Sequence, residues 1–317
     1  MKKFTEIYNE VIKDRLLLEK LKREYRFSLV KRFLWFLFII FSLVICICFF
    51  GHITPRELLS DRAYTMILFV VVALVFGCFA FSFVHLREAF RRKFKESVIE
   101  KIITSVDDRL VYSPNYGITL MDYHKGFRDR STKMSSEDLI TGTIDNNVSI
   151  RMSQIRATHE EEDFSREDGV RTTRTVVDYF GLYGFAVIPT SLALCEIKIV
   201  SNSFFRKFSK NRVEVESESF EKVYDIITKD RMYAMKIMKP KVIEAFNKVT
   251  QSGCKGLEVR IVGNIIYFRY QSGDIFEPAK VGDMFKPEKI REYLMTIYNP
   301  LNIIKALIYA LDDSKNS

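Results

Sequence analysis

The sequence lacks the motifs by which many enzymes are recognised. It contains no G-x-x-x-x-G-K-[S/T] phosphate loop, no G-x-G-x-x-G fingerprint, no G-x-S-x-G elbow and no H-E-x-x-H zinc motif. Histidine is scarce, with four residues in a chain of 317. No carboxylate stands out from ordinary surface ones as half of an acid–base pair. We therefore predict no catalytic residue, no cofactor and no metal ion.

The cysteines predict neither a zinc site nor a set of disulfide bonds. There are five, and their spacing is scattered along the chain. Cys46 and Cys48 are one residue apart inside an apolar run, which is not a zinc-binding pattern. Scattered spacing favours free thiols in a reducing compartment over a disulfide framework.

Charge is absent from two long apolar stretches. Phe33–Phe50 has 18 residues and Thr65–Val84 has 20, and neither contains a charged side chain. A helix rises about 1.5 Å per residue, so each stretch is long enough to cross a hydrocarbon core of roughly 30 Å. The polar segment between them is short and contains Pro55, which interrupts a helix. These features predict a transmembrane hairpin with spans at about 33–50 and 65–84.

Basic residues predict the orientation of this hairpin. Ten Lys and Arg precede the first stretch, whereas the connecting loop has only two, which are offset by Glu57 and Asp61. The positive-inside rule places both termini in the cytoplasm and predicts a multi-pass protein of the cytoplasmic (inner) membrane. A second basic group follows the second stretch, and we predict that it faces anionic lipid head groups; its members are Arg87, Arg91, Arg92, Lys93 and Lys95.

The net charge of +9 is confined to the N-terminal third of the chain. Residues 1–104 hold 18 basic and 10 acidic side chains, whereas the remainder is almost neutral, with 31 against 30. A nucleic-acid-binding domain usually carries its own basic stripe. The sequence therefore predicts no nucleic-acid partner.

Hydrophobic periodicity divides the chain into four parts. Residues 1–32 are predicted to form an N-terminal cytoplasmic helix, 33–86 the hairpin, and 87–106 a juxtamembrane helix with apolar residues every four positions from Phe90 to Val106. Residues 107–317 change to short runs that alternate apolar and polar residues. We predict a cytoplasmic α+β domain there, with an antiparallel sheet and helices towards the C-terminus, because strands do not alternate with helices.

Two hairpins are the clearest signals in this domain. They are centred on residues 145–147 and on Gly263-Asn264, and both are flanked by alternating strands. Residues 116–123 are predicted to be a further strand. Pro240–Thr250, Pro287–Tyr298 and Leu301–Leu311 are predicted helices, with Pro300 separating the last two.

Three groups of residues leave alternatives open. His159 and the acidic residues after it, from Glu160 to Asp168, could bind a divalent cation, but a solvated acidic loop is favoured because contiguous acids point in different directions. Residues 204–210 combine aromatic and basic side chains that could touch lipid or RNA, although a partly buried connection is favoured. Gly181 and Gly184 indicate a bulge or turn. The adjacent aromatics are either core residues, which is favoured, or the wall of a ligand groove; they are Phe180, Tyr183 and Phe185.

Four stretches resemble a known family, the bacterial domain of unknown function 3137 family. They are Glu137–Ala157, Asp178–Val187, Val215–Phe246 and Ile265–Pro278. The family's glycine-aromatic signature is matched by Phe180, Gly181 and Phe185, and its acidic-Ser-x-x-Phe signature by residues 216–220. The resemblance extends over nearly the whole chain and implies a charged N-terminal helix, two membrane spans and a cytoplasmic domain. It implies no activity and no catalytic residue.

The leading hypothesis for function is a membrane-anchored interaction or scaffold module that faces the cytosol. It would recruit an unidentified protein partner or engage anionic lipid. The alternatives are a membrane-anchored enzyme with an unrecognised site and an accessory subunit of a transport complex. The sequence does not predict an oligomeric state.

Overall fold

The protein is described here by a computed structural model. The structure describes residues 4–13, 15–53, 61–164, 171–189, 193–202, 210–278 and 286–315. These form two compact units, one comprising residues 9–94 and the other residues 1–8 together with 95–317.

The predicted transmembrane hairpin is wrong. A helix that crosses a membrane needs about 20 consecutive, mainly apolar residues. Among the described helices, none is both long enough and apolar enough to meet this requirement. The predicted spans at 33–50 and 65–84, and with them the multi-pass localisation in the cytoplasmic membrane, are therefore withdrawn.

The unit of residues 9–94 is built on two long helices, α2 (Arg15–Ile53) and α3 (Asp61–Phe94), and also contains the end of α1 (Phe4–Lys13). α2 and α3 are antiparallel and meet through aromatic rings. Phe36 contacts Phe79 at 4.3 Å between ring centroids, and Tyr25 contacts Phe90 at 4.6 Å. Other apolar side chains point away from this contact and are exposed, Phe69 among them. The pairing therefore leaves much of the described apolar surface uncovered.

The second unit begins with a π-helical turn, Lys95–Ile99, which continues as α4 (Glu100–Val106). The predicted stripe is present here, since Val98, Ile102 and Val106 are buried. The π turn widens the helix at Lys95, and such single turns inside α-helices are frequent at functional sites.

An antiparallel sheet forms the body of this unit, as the sequence predicts, and the described residues contribute nine strands to it. The strands are ordered β1-β2-β3-β4-β9-β8-β5-β7-β6. Their bounds are Leu110–Ser113 (β1), Lys133–Ile144 (β2), Val148–Phe164 (β3), Arg171–Val187 (β4), Ala193–Ser201 (β5), Arg212–Val213 (β6), Tyr224–Thr228 (β7), Lys255–Gly263 (β8) and Ile265–Gln271 (β9).

Both predicted hairpins are confirmed. β2 and β3 are joined by a 3₁₀ turn at Asp145–Asn147, in which Asn147 has a φ of 57°. β8 and β9 are joined through Gly263, with a φ of 58°, and Asn264. Asn and Gly are the residues that adopt this left-handed conformation most easily, which is why these turns could be recognised.

Helices cover both faces of the sheet to different extents. The remaining helices are α5 (Leu120–Gly126), α6 (Glu218–Glu221), α7 (Arg231–Ile237), α8 (Pro240–Gln251) and α9 (Pro287–Lys315). α8 and α9 pack on one face, where Phe246 of α8 contacts Tyr224 of β7. α5 lies on the opposite face, where the hydroxyl of Tyr183 donates to the Asp122 carbonyl at 2.8 Å.

Residues 116–123 are not a strand, contrary to the prediction. Thr119 caps the start of α5 by accepting a hydrogen bond from the backbone N–H of Asp122 at 3.2 Å. The alternating apolar and polar residues suggested a strand, but a threonine that caps a backbone N–H favours the start of a helix. Tyr123 of this helix is completely buried among Ile155, Tyr179 and Tyr183.

The two predicted C-terminal helices are a single helix, α9, with Pro300 inside it. Proline has no N–H, so the carbonyl four residues earlier, that of Thr296, loses its helical donor. The hydroxyl of Tyr270 on β9 donates to this carbonyl at 2.7 Å. The sheet therefore supplies the hydrogen bond that Pro300 removes, and the helix continues.

This arrangement predicts a cost for losing one hydroxyl. In Tyr270→Phe the ring stays but the partly buried Thr296 carbonyl loses its donor, which costs about 1–3 kcal/mol of the free energy of unfolding. Chemical denaturation measures the loss, with Tyr116→Phe as the control because Tyr116 is 71% exposed. Equal stability of the two variants would contradict the role given to Tyr270.

Candidate functional site

The three histidines whose side chains are described lie on three different elements. The structure does not describe the side chain of His52, and His85 lies against the ring of Phe81 at 4.4 Å. His124 and His159 lie in the sheet unit, on α5 and β3 respectively.

His124 belongs to a serine–histidine–aspartate group that resembles a catalytic triad only in composition. Its Nε2 lies 3.0 Å from the Ser131 hydroxyl and 3.7 Å from Asp129. Ser131 is only 4% exposed and donates its hydroxyl proton to Asp129, which also accepts from the Ser131 backbone N–H at 3.0 Å. A nucleophile needs an accessible oxygen and a base that takes its proton. This group therefore secures residues 129–131 against α5.

A second polar cluster surrounds Lys95 of the π turn. This lysine is 3% exposed, and its Nζ lies 2.8 Å from Asp138, 3.2 Å from Glu277 and 3.5 Å from Glu137. The Tyr112 hydroxyl donates to the other oxygen of Asp138. The three carboxylates offer oxygens within 4.8 Å of one another, a spacing that could hold a metal ion. The ammonium group of Lys95 already lies among these oxygens and supplies the positive charge.

The backbone presents Asp138 to this cluster in an unusual way. Its φ is 61°, in the left-handed region, and the register of β2 against β3 shifts between Glu137 and Ile140. The displaced segment is held by the loop after β1, since the N–H of Asp138 donates to the Pro114 carbonyl at 3.1 Å. Burial raises the pKa of Asp138, and Lys95 and the Tyr112 hydroxyl act in the opposite direction.

The five residues predicted to face lipid differ in their exposure. Arg87, Arg92 and Lys93 are exposed on α3, and Arg91 is half-buried and lies 3.4 Å from Glu88. Lys95 is buried and paired with carboxylates, so it does not share their exposed position. A lipid-facing role for the other four stays a prediction.

The acidic segment after His159 is part of a strand and not a loop. β3 and β4 pair with each other as far as Phe164↔Arg171. β2 pairs with β3 only as far as Thr158, and β9 pairs with β4 only from Gly181. Residues 159–164 and 171–176 therefore form a two-stranded ribbon, called the arm below. The predicted acidic residues Glu167 and Asp168 lie outside the described residues.

The two strands of the arm differ in charge. The β3 strand has four consecutive acidic residues, Glu160–Asp163, whereas the facing β4 strand reads Arg-Thr-Thr-Arg-Thr over residues 171–175. Arg174 lies 3.2 Å from Glu161 across the ribbon, and Glu160 pairs with Lys133 of β2. Cross-strand pairing, and not solvation alone, therefore accommodates the acidic run.

His159 marks the base of the arm and is held between two carboxylates. Its Nδ1 lies 2.7 Å from Asp178 and its Nε2 lies 3.1 Å from Glu161. Asp178 is an extra residue in β4, because Ala157 pairs with Tyr179 while Thr158 pairs with Val177. The carboxylates of Asp178 and Glu161 raise the pKa of His159.

A groove of about 450 Å³ opens beside β4 at this bulge. It begins where β9 ends: the Ser272 N–H still donates to the Phe180 carbonyl at 3.5 Å, and before Phe180 no described strand pairs with β4 on that side. Ser272 lies in the groove, and its hydroxyl is buried without a hydrogen-bond partner among the described residues. The lining residues are Val177, Asp178, Tyr179, Phe180, Gly253, Lys255, Gln271 and Ser272.

Gly181 lies in the regular part of β4, opposite Gln271 of β9, and not in a bulge or turn as predicted. A Cβ at this position would clash with the carbonyl oxygen of Tyr270. Of the three aromatics beside the glycines, Tyr183 is buried in the core and Phe185 packs against that core. Phe180 lines the groove, with the Arg156 guanidinium 4.3 Å from its ring centroid. The core interpretation thus fits two of them, and the groove interpretation fits Phe180.

Residues 203–209 lie outside the described residues, so the predicted basic-aromatic segment finds no structural account. Among the cysteines, Cys254 is described as a free thiol.

Replacing Lys95 tests the buried cluster. Lys95→Met leaves Asp138 buried without its cation, and removing one partner of a buried pair costs about 3–5 kcal/mol of unfolding free energy at neutral pH. The loss should shrink in acid. Without lysine the folded pKa of Asp138 rises further above its unfolded value of about 4, so the free energy of unfolding falls as pH increases between these two values.

Chemical denaturation of Lys95→Met between pH 4 and 8 measures this effect. Lys93→Met is the matched control, because Lys93 is exposed two residues earlier. The double variant Lys95→Met, Asp138→Asn should recover part of the loss at neutral pH. A pH-independent loss would contradict the electrostatic explanation.

The pKa of His159 provides a separate test at the arm. Since its folded pKa is raised, His159 contributes stability that is fully present below about pH 6.5 and is lost as pH rises through the folded pKa. In Asp178→Asn the imidazole resonances should titrate at lower pH by NMR. Glu162→Gln, which changes an arm residue that does not contact His159 in the described structure, should leave the titration unchanged.

Comparison with known proteins adds limited information on this site. No curated protein matches the chain. The structure of the mycobacterial trehalose monomycolate transport factor A, TtfA, is similar over 63% of this chain and 95% of that one, with 5% identity and a TM-score of 0.33. A likeness this weak carries no argument about fold or function.

One family model does match, and it confirms the predicted resemblance. Residues 184–308, from the second half of β4 to the middle of α9, match the family described as "Protein of unknown function (DUF3137)". The match is narrower than the near-complete coverage expected, because it omits Glu137–Ala157 and the arm. Residues 184–308 of this chain therefore resemble the DUF3137 proteins of unknown function.

Proposed function

We propose that this chain is a non-catalytic interaction module that binds a protein partner by strand addition to the open edge of β4. The observation that carries the proposal is the difference in length between β4 and its neighbour β9. Among the described residues, no strand pairs with β4 between Arg171 and Tyr179 on the side away from β3. Strand addition to such an edge is a common mode of peptide recognition.

The groove provides a place for the end of an added strand. A segment antiparallel to β4 would continue the line of β9 and pass Val177, Phe180 and Ser272. Lys255 also lines the groove and is exposed, so the groove favours a segment with a carboxylate near it.

The same site does not favour catalysis. The ionisable groups at the base of the arm are already paired, because His159 lies between Asp178 and Glu161. In the two other clusters described above, Ser131 and Lys95 are buried. The interaction part of the sequence-based hypothesis is kept in this proposal, and its membrane anchor is not.

Site-specific photo-crosslinking in producing cells tests the proposal. A photoreactive residue at Thr173 should give crosslinks to a partner, whereas one at Ser149 should not, because Ser149 pairs with a strand on each side. The full chain is used in both cases.

Proline at the edge distinguishes strand addition from other contacts. Successive residues of a strand direct their N–H groups to alternate sides, so one of Thr175→Pro and Val176→Pro removes an outward N–H and the other breaks a bond to β3. The variant that retains the wild-type thermal unfolding should lose at least about 80% of the Thr173 crosslink, as a blocked edge requires. Retention of the crosslink, or its appearance at Ser149, would overturn the proposal.

A further inference from the structure

The arm is a ribbon with an acidic strand on one side and a basic, hydroxyl-rich strand on the other. Both outer edges are open among the described residues, since β2 ends its pairing at Thr158 and β9 begins its pairing at Gly181. We infer that the strand added to β4 is the β3 strand of the arm of a second copy of this chain. The inference rests on the proposed function and names its partner.

Charge complementarity selects this partner. The β4 edge carries Arg174, which is 71% exposed, and the β3 edge carries Glu162, which is also exposed. Opposite charges on adjacent strands stabilise pairing, and like charges directly opposite destabilise it. Pairing β3 of one copy with β4 of the next places acids beside bases. Pairing β3 with β3, or β4 with β4, places like charges together.

Strand direction also favours pairing between β4 of one copy and β3 of the next. When two arms lie side by side in one orientation, β4 of the first runs antiparallel to β3 of the second, as it does to its own β3. The two copies then use different edges, so the contact is head-to-tail and is not closed by a two-fold axis. Such contacts produce rings or open chains of copies, not dimers alone.

The expected behaviour is a self-association that grows with concentration and weakens with salt. Purified full-length chain should form species larger than a dimer at micromolar concentrations in about 50 mM salt, and should dissociate as screening increases in about 0.5 M salt. Mass photometry and sedimentation velocity measure both.

Two variants that disable different edges give the sharpest test. Glu162→Lys changes the acidic edge, and the fold-retaining proline variant at Thr175 or Val176 blocks the basic edge. Each alone should weaken self-association about fivefold or more. Mixed in equal amounts they should form a heterodimer and nothing larger, because each supplies the one edge that the other lacks. Glu216→Lys is the control for charge, since Glu216 is exposed outside the arm.

The outcomes separate this inference from the proposed function. If the wild-type chain stays monomeric, if Glu216→Lys acts like Glu162→Lys, or if either edge variant alone forms a stable dimer, the head-to-tail inference is overturned. If at the same time the Thr173 crosslink is edge-dependent and contains a different protein, the proposed function stands with another partner. If no edge-dependent crosslink forms, both fail.

Discussion

The structure depends on one mismatch of strand lengths. β3 and β4 pair with each other over almost all of their 17 residues, whereas their outer neighbours, β2 with 12 residues and β9 with 7, stop earlier. An antiparallel pair that outgrows its sheet has to leave backbone donors and acceptors facing outward, because a strand can satisfy only one side with its hairpin partner. The arm and the open edge beside the groove follow from this mismatch, and the bulge at Asp178 lies where the arm begins.

The Lys95 cluster links distant segments of the same unit. It connects the π turn to the register shift at Asp138 and to Glu277 in the segment before α9. A buried ion pair is weak evidence for added stability, because desolvation offsets much of the attraction. Its effect on geometry is clearer than its effect on stability. The Lys95 ammonium lies within 3.5 Å of three carboxylates and so connects the π turn, β2 and the segment that contains Glu277. The cluster thus explains why the sheet can tolerate a left-handed residue in the middle of β2.

Sequence patterns predict the parts of this fold that depend on local conformation. The turns at Asn147 and Gly263 were recognisable because their residues adopt positive φ, and Pro240 marked the start of α8. The failures involve distant partners. The acidic run after His159 has a loop-like composition and becomes a strand because it pairs with β4, where Arg174 faces Glu161. A proline such as Pro300 normally ends a helix. Here the helix continues because the Tyr270 hydroxyl donates to the Thr296 carbonyl, which Pro300 leaves without a helical donor. Tyr270 is thirty residues from Pro300 in the sequence, so local patterns do not reveal this contact. The burial of Lys95 could not be predicted either, since nothing near it in the sequence distinguishes it from the exposed Lys93.

Stability of the arm alone does not explain why one of its strands is acidic and the other basic. A ribbon that needed only internal stability could alternate acids and bases on each strand, and every residue would then have an opposite charge across from it. Here the four acids are consecutive, and in the register of the ribbon only Glu161 faces a base, Arg174, whereas the other three face threonines. Segregated charge leaves each edge with a net sign, which also prevents identical edges from pairing. Edge strands commonly carry charge to prevent uncontrolled association. Opposite signs on two edges of one ribbon prevent the symmetric contacts and leave the head-to-tail contact allowed.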